Sequence, residues 1–116
     1  VFSHPSKLEL VDAAKAAGYV VVLHVLMIPE DLAVHRVHHR VQAGGHDVPE
    51  EKTRQRYRRL WDLAAAAAAR TDAATFYDNS AVRGPRIVAR MHLGFADGAV
   101  TWPRWAPTTF TTRWSA

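Results

Sequence analysis

Residues 19–28, YVVVLHVLMI, constrain the fold more than any other part of the chain. A strand with one wet face alternates polar and apolar residues, whereas an unbroken apolar, β-branched run predicts a strand buried on both faces. Strands of that kind belong to parallel sheets held between helices. His24 is the run's one strongly polar side chain and is expected to be a hydrogen-bonded core histidine. The flanks supply helices. Ser6-Lys7-Leu8-Glu9 reads as a capping box with Ser6 at the N-cap, opening a helix with Leu8, Val11 and Ala14 on one face and a stop at Gly18. After Pro29, Glu30 and Asp31 suit the positive end of a second helix with the stripe Ala33, Val37 and Val41. Gly44-Gly45 stops it, and Pro49 opens a third helix carrying Tyr57, Leu60, Trp61 and the alanine run 64–69.

Farther on, residues 73–77 predict a short strand, and Asp78-Asn79-Ser80 and Gly84-Pro85 predict turns. Residues 87–93 predict a strand with one wetter face, and Asp97-Gly98 a hairpin turn leading to Val100-Thr101-Trp102. Beyond Pro103 there is no period, so residues 103–116 are expected to be an irregular tail. The prediction is one domain over residues 1–116: a three-layer α/β fold, with mostly parallel strands and helices on both faces.

The chemistry concentrates in residues 36–61. Eight of the 15 Lys and Arg residues (Arg36, Arg40, Lys52, Arg54, Arg56, Arg58, Arg59, Arg70) lie between Arg36 and Arg70, in a chain of net charge +4. That balance favours anionic partners. Arg36 and Arg40 are one helical turn apart, so their guanidinium groups share a face. Two arginine-bearing helices joined at a glycine hinge can close on phosphate, which the planar guanidinium fork binds through paired, charge-assisted hydrogen bonds. The plainer reading is a solvated basic face on a helical hairpin. His35 and His39 are also one turn apart, with His38 and His46 nearby. With no H-E-x-x-H pattern and no cysteine in the chain, no metal site is assigned. Tyr57 and Trp61 among the arginines could stack on bases, but their spacing equally fits a core stripe. No serine sits in a G-x-S-x-G elbow, and Asp72 and Asp78 read as turn and cap residues. The lack of cysteine suits a cytoplasmic protein, and no apolar run approaches the ~20 residues of a membrane span.

The order Arg36-Val37-x-x-Arg40-Val41-x-x-Gly44-Gly45-His46-Asp47-Val48-Pro49, followed by Arg56-Tyr57, resembles the lid segment of zeta-toxin-like P-loop kinases. The similarity runs through SHPSKLELVDAAKAAGYVVVLHVLMIPEDLAV before it and YDNS after it, roughly residues 1–80. The resemblance implies an adenylate-kinase-like fold with a helical lid at about 36–59. It also implies a phosphotransferase that uses ATP and Mg²⁺ and acts on a hydroxyl of a small molecule or nucleotide sugar. Zeta toxins proper phosphorylate UDP-N-acetylglucosamine. By the same resemblance Arg36 stacks on adenine, Arg40 contacts phosphate, and Arg40 and Arg56 neutralise the transferring phosphoryl group. Arg54 and Arg59 become further nucleotide contacts, His46 at the hinge either contacts phosphate or caps the following helix, and an antitoxin-like protein becomes an expected partner. The chain has no G-x-x-x-x-G-K-[ST] loop. The family's phosphate loop and catalytic base would lie before Val1. The chain is therefore expected to be the C-terminal part of a kinase, inactive alone, and to self-associate near the strand at residues 19–28. The competing class is a non-enzymatic basic module that binds nucleic acid or a partner protein.

Overall fold

A computed structural model describes residues 5–45 and 49–114. The elements run α1 (Ser6–Ala16), β1 (Val22–Met27), α2 (Glu30–Gln42), α3 (Glu50–Arg70), β2 (Ala73–Asp78), β3 (Arg86–His92), β4 (Phe95–Ala96) and α4 (Thr108–Thr111). A 3₁₀ turn at Thr112–Trp114 follows. Both glycine stops act as expected. Gly18, at φ +90°, donates to the Lys15 carbonyl while Tyr19 donates to Ala14, a Schellman closure of α1. Gly44, at φ +99°, and Gly45 close α2 in the same way on Val41 and Arg40. Gly45 approaches so closely that a Cβ there would lie 2.8 Å from the Arg40 carbonyl oxygen. The capping box does not form. Ser6 is already inside α1, and the N-cap is Pro5, which has no side-chain acceptor to offer.

The sheet order is β1-β2-β3-β4, with β1 and β2 parallel and both remaining pairings antiparallel. The expectation of a mostly parallel, three-layer sheet is thus corrected. Only the β1–β2 connection contains helices; the loops after β2 and β3 are too short for a crossover and return the chain as hairpins. The β3–β4 turn is Leu93-Gly94, with φ of +50° and +83°, and not Asp97-Gly98. Gly94 is required there because a Cβ would stand 3.0 Å from Ala69 Cα on α3.

The helices cover one face of the sheet. Met27, Ala74, Phe76, Ala89 and Met91 point inward against Ala65 and Ala68 of α3, whose small side chains let helix and sheet approach closely. A bulge at Phe76–Tyr77 inserts Val88 opposite β2, so Val88 and Ala89 are both buried. The outer face carries the exposed Val22, His24, Leu26, Ile87 and Arg90. The β1 strand therefore lies at a sheet edge and is not buried on both faces, a second correction. Its apolar run marked a strand correctly, but no helix among the described residues covers its outer side. His24 is correspondingly exposed, and its Nδ1 lies 2.9 Å from the Tyr77 hydroxyl.

The tail is also more ordered than expected. Phe110 of α4 is 2% exposed and meets Trp61, Phe76, Trp102 and Trp114 edge to face, at ring separations of 4.8–5.6 Å. The Trp114 indole donates to the Gly94 carbonyl at 2.9 Å, which pins the 3₁₀ turn to the β3–β4 turn. Two inward aromatics spaced i,i+4 suffice to fix so short a segment, although they are too few to show a period.

Candidate anion-binding cleft

Helices α2 and α3 leave between them a cleft of about 1010 Å³. It opens at Ile28, the first residue past the C-terminal end of β1. In open α/β sheets, ligands bind outside the carboxyl ends of parallel strands. Apolar residues (Ile28, Leu32, Ala33, Val37, Leu60) make the floor, and His35, Arg36, His39, Arg40 and Arg56 line the walls with Thr53 and Tyr57. No carboxylate lines the cleft among the described residues. The concentration of positive charge follows from helix geometry: Arg36 and Arg40 share one face of α2, and Arg56 lines the same cleft from α3.

The arginines fall into two groups. Arg54 is held by carboxylates: its Nη1 is 2.6 Å from Glu30 and 3.1 Å from Asp31, and its Nε is 3.4 Å from Glu50. Arg58 also reaches Glu30, at 3.2 Å. The hydrogen bond from Arg54 holds the Glu30 carboxyl below its usual range against the opposing effect of burial, with Arg58 assisting. The same contacts, Glu30 first, raise the Arg54 guanidinium. This network joins the N-terminal ends of α2 and α3 and so fixes the spacing of the cleft walls. Arg40 and Arg56, in contrast, pair with no carboxylate among the described residues. Arg36 donates to the Asn79 carbonyl, at 3.4 Å, linking α2 to the loop after β2.

Of the positions singled out from sequence, Arg36, Arg40 and Arg56 are thus brought together on one cleft. Arg54 is committed to Glu30, Asp31 and Glu50, and Arg59 is exposed outside the cleft lining. His46 lies outside the described residues. Among the described residues, no group of three or more His, Asp or Glu side chains is placed to hold a metal ion.

Sequence reasoning did not find the part played by Tyr57. Its hydroxyl donates to the Ile28 carbonyl at 2.6 Å, tying α3 to the exit of β1 at the cleft floor. Burial, with a smaller contribution from the Glu30 carboxylate, pushes the Tyr57 phenol up to about 12; a hydrogen bond with Trp61 pulls the other way. Trp61 packs on Tyr57, Trp105 and Phe110. Both aromatics serve the fold, and Tyr57 also lines the cleft. Asp78 accepts the Ser80 N–H and hydroxyl at 3.0 and 2.6 Å, the turn role read from the sequence, whereas Asp72 accepts the distant Val21 N–H at 2.8 Å and ties the segment before β1 to the start of β2. Burial alone would raise the Asp78 carboxyl, but the Ser80 and Arg86 contacts hold it below its usual range.

A family model described as Zeta toxin matches residues 1–83. The matched segment runs from α1 through β2 and contains every residue that lines the cleft. No curated protein and no solved structure matches the chain.

Proposed function

This chain belongs to the zeta toxin family, and from that premise we propose that the α2–α3 cleft holds the phosphates of ATP for transfer to a hydroxyl of a small molecule or nucleotide sugar. One observation carries the reading. Arg36, Arg40 and Arg56 converge on one cleft that no carboxylate lines among the described residues, whereas the neighbouring Arg54 and Arg58 are paired with acids. Unpaired guanidinium groups facing one another repel, and a polyphosphate relieves that repulsion while filling their donor forks. Phosphoryl transfer depends mainly on positioning and neutralisation of charge on the transferring group, the work three convergent arginines can do.

In this reading Arg36, anchored to the loop after β2 through Asn79, borders the nucleoside end. Arg40 and Arg56 face each other across the phosphates. Arg54 is removed from direct contact and given the task of bracing α3 against α2. The donor set suits a polyphosphate. It offers Mg²⁺ no carboxylate among the described lining residues, so the ion's protein ligands lie outside this cleft. Mg²⁺ would supply further neutralisation of the phosphate oxygens. The 116 residues contain no G-x-x-x-x-G-K-[ST] loop, so the proposal gives this chain nucleotide binding and not turnover. Membership of a toxin family also makes a protein antitoxin a proposed partner.

Calorimetric titration with ATP tests the assignment. The chain should bind it, and Arg40→Ala or Arg56→Ala should each weaken binding by about tenfold, the scale of one lost charge-assisted contact. Arg58→Ala, which removes an arginine already paired with an acid, should change little. Equal losses for all three would show that only net charge matters. Tight oligonucleotide binding with a steep salt dependence would favour the nucleic-acid class instead.

A further inference from the structure

The cleft holds two imidazoles that the proposed function leaves unused. His35 and His39 stand one turn apart on α2, in the row beside Arg36 and Arg40, and both line the cleft. Both are exposed, so protons reach them from solvent. The other ionisable groups of the described lining keep their charge near neutrality. Arg36, Arg40 and Arg56 stay protonated, and the Tyr57 phenol, pushed up to about 12, stays neutral. Histidine is the side chain whose charge changes between about pH 5 and 8. Among the described residues the charge of the lining therefore runs from +3, the three guanidiniums, to +5 when both imidazoles carry protons. A helix C-terminus favours positive charge, and His39 lies in the last turn of α2. One acid lies near. Asp31 is one turn before His35, but its carboxylate is 3.1 Å from Arg54 and is not part of the cleft lining. His38, the third histidine of α2, is exposed outside the lining.

We propose that His35 and His39 are further phosphate contacts on the α2 wall, made only when they carry protons, so that the cleft's hold on a polyphosphate tightens as pH falls from about 8 to about 6. The inference rests on the reading of the cleft as a phosphate site. In the empty cleft a proton added to either imidazole joins three guanidiniums and is opposed by their charge. A bound polyphosphate reverses the sign, because each imidazolium then has an anion beside it and donates a charge-assisted N–H to it. Binding therefore takes up protons, and by reciprocity a higher proton concentration tightens binding. The spacing suits a chain of linked phosphates: His35 and His39 lie about 6 Å apart along the helix axis, as do Arg36 and Arg40. An exposed ion pair changes affinity by a few-fold, so the two histidines together should contribute about tenfold.

Titration of the full chain with ATP at about pH 8 and about pH 6 tests the proposal, in the parent and in a double variant, His35→Gln with His39→Gln. Both positions are exposed, and glutamine is a good helix former, so the fold is kept. The terminal phosphate of ATP also gains a proton in this window, identically for both proteins, so the readout is the ratio of their affinities. The two should bind alike at the higher pH, and at the lower one the parent should bind about tenfold tighter. Calorimetry in two buffers of different ionisation enthalpy should show the parent taking up more protons per ATP bound than the double variant. His38→Gln should behave as the parent does. Arg40-dependent binding with the same affinity ratio at both pH values would overturn the inference and leave the cleft assignment standing. So would a His38→Gln chain that loses as much as the double variant, because any histidine on the helix would then serve. A chain that binds no ATP at either pH would overturn the cleft assignment and this inference with it.

Discussion

Replacing Tyr57 by Phe removes one hydroxyl and leaves the ring, so it isolates the bond that joins α3 to the end of β1. The bond is short, 2.6 Å from Oη to the Ile28 carbonyl. A neutral hydrogen bond contributes about 1 kcal/mol net, and stranding its partner in a dry site adds 1–3 kcal/mol. The Ile28 carbonyl borders both the cleft and an apolar groove along β1, so water can replace the lost donor and the lower end applies. Tyr57→Phe should destabilise the fold by about 1–1.5 kcal/mol in urea denaturation at neutral pH. The pH dependence supplies a second signature. The phenol rises from its usual 10.0 to about 12 in the folded chain. A folded value above the unfolded one favours the protonated, hydrogen-bonded form. This contribution is therefore complete below about pH 10 and lost as pH climbs through about 12. Half-exposure of the ring screens the effect and reduces its size. The gap between parent and variant should close over that window, since only the parent has this phenol to ionise. A variant as stable as the parent at neutral pH, or a gap that persists unchanged above pH 12, would refute the assignment.

Two further outcomes follow from the packing and the ion network. Arg54→Ala should lower the thermal midpoint at neutral pH. The depressed Glu30 carboxyl stabilises the fold above the usual 4.5 and loses that effect as pH falls through its lower folded value, so the midpoints of parent and variant should converge in acid. Phe110→Ala removes a side chain in contact with four aromatic rings and should cost about 3–5 kcal/mol, read by urea denaturation, with loss of the near-ultraviolet tryptophan signal as α4 detaches.

The helices and their stops were legible in the sequence because glycine at positive φ and a 3.6-residue stripe are local signals. Gly18 and Gly44 act where the spacing placed them, and the one-turn spacing of Arg36 and Arg40 led directly to one wall of the cleft. What escaped was set by contacts distant in sequence. An apolar run is the same string whether its second face is covered or open, so the exposure of Val22 and Leu26 could not be read from it. The antiparallel return of β3 depends on a turn at Leu93-Gly94, where leucine at positive φ gives no compositional warning and Gly94 is demanded by Ala69 from another element. The separation of Arg54 from Arg56 was hidden for the same reason. Both lie in one basic run, and only the packing of α3 against the start of α2 brings Glu30 and Asp31 to the first and leaves the second in the lining of the cleft. Tyr57 looked like a core aromatic, and its ring is one. Its hydroxyl acquires a task because the Ile28 carbonyl has no neighbouring strand among the described residues.

The most direct test of the central claim observes the arginines themselves. Nuclear magnetic resonance of the side-chain Nε–H groups, with each arginine assigned by substitution, can follow an ATP titration residue by residue. The account predicts that Arg36, Arg40 and Arg56 shift together along one saturating curve, that inorganic tripolyphosphate reproduces the shifts of Arg40 and Arg56, and that Arg54 and Arg58 stay on their carboxylates and move little. Uniform, non-saturating shifts across all the arginines, or shifts led by Arg54 and Arg58, would contradict it.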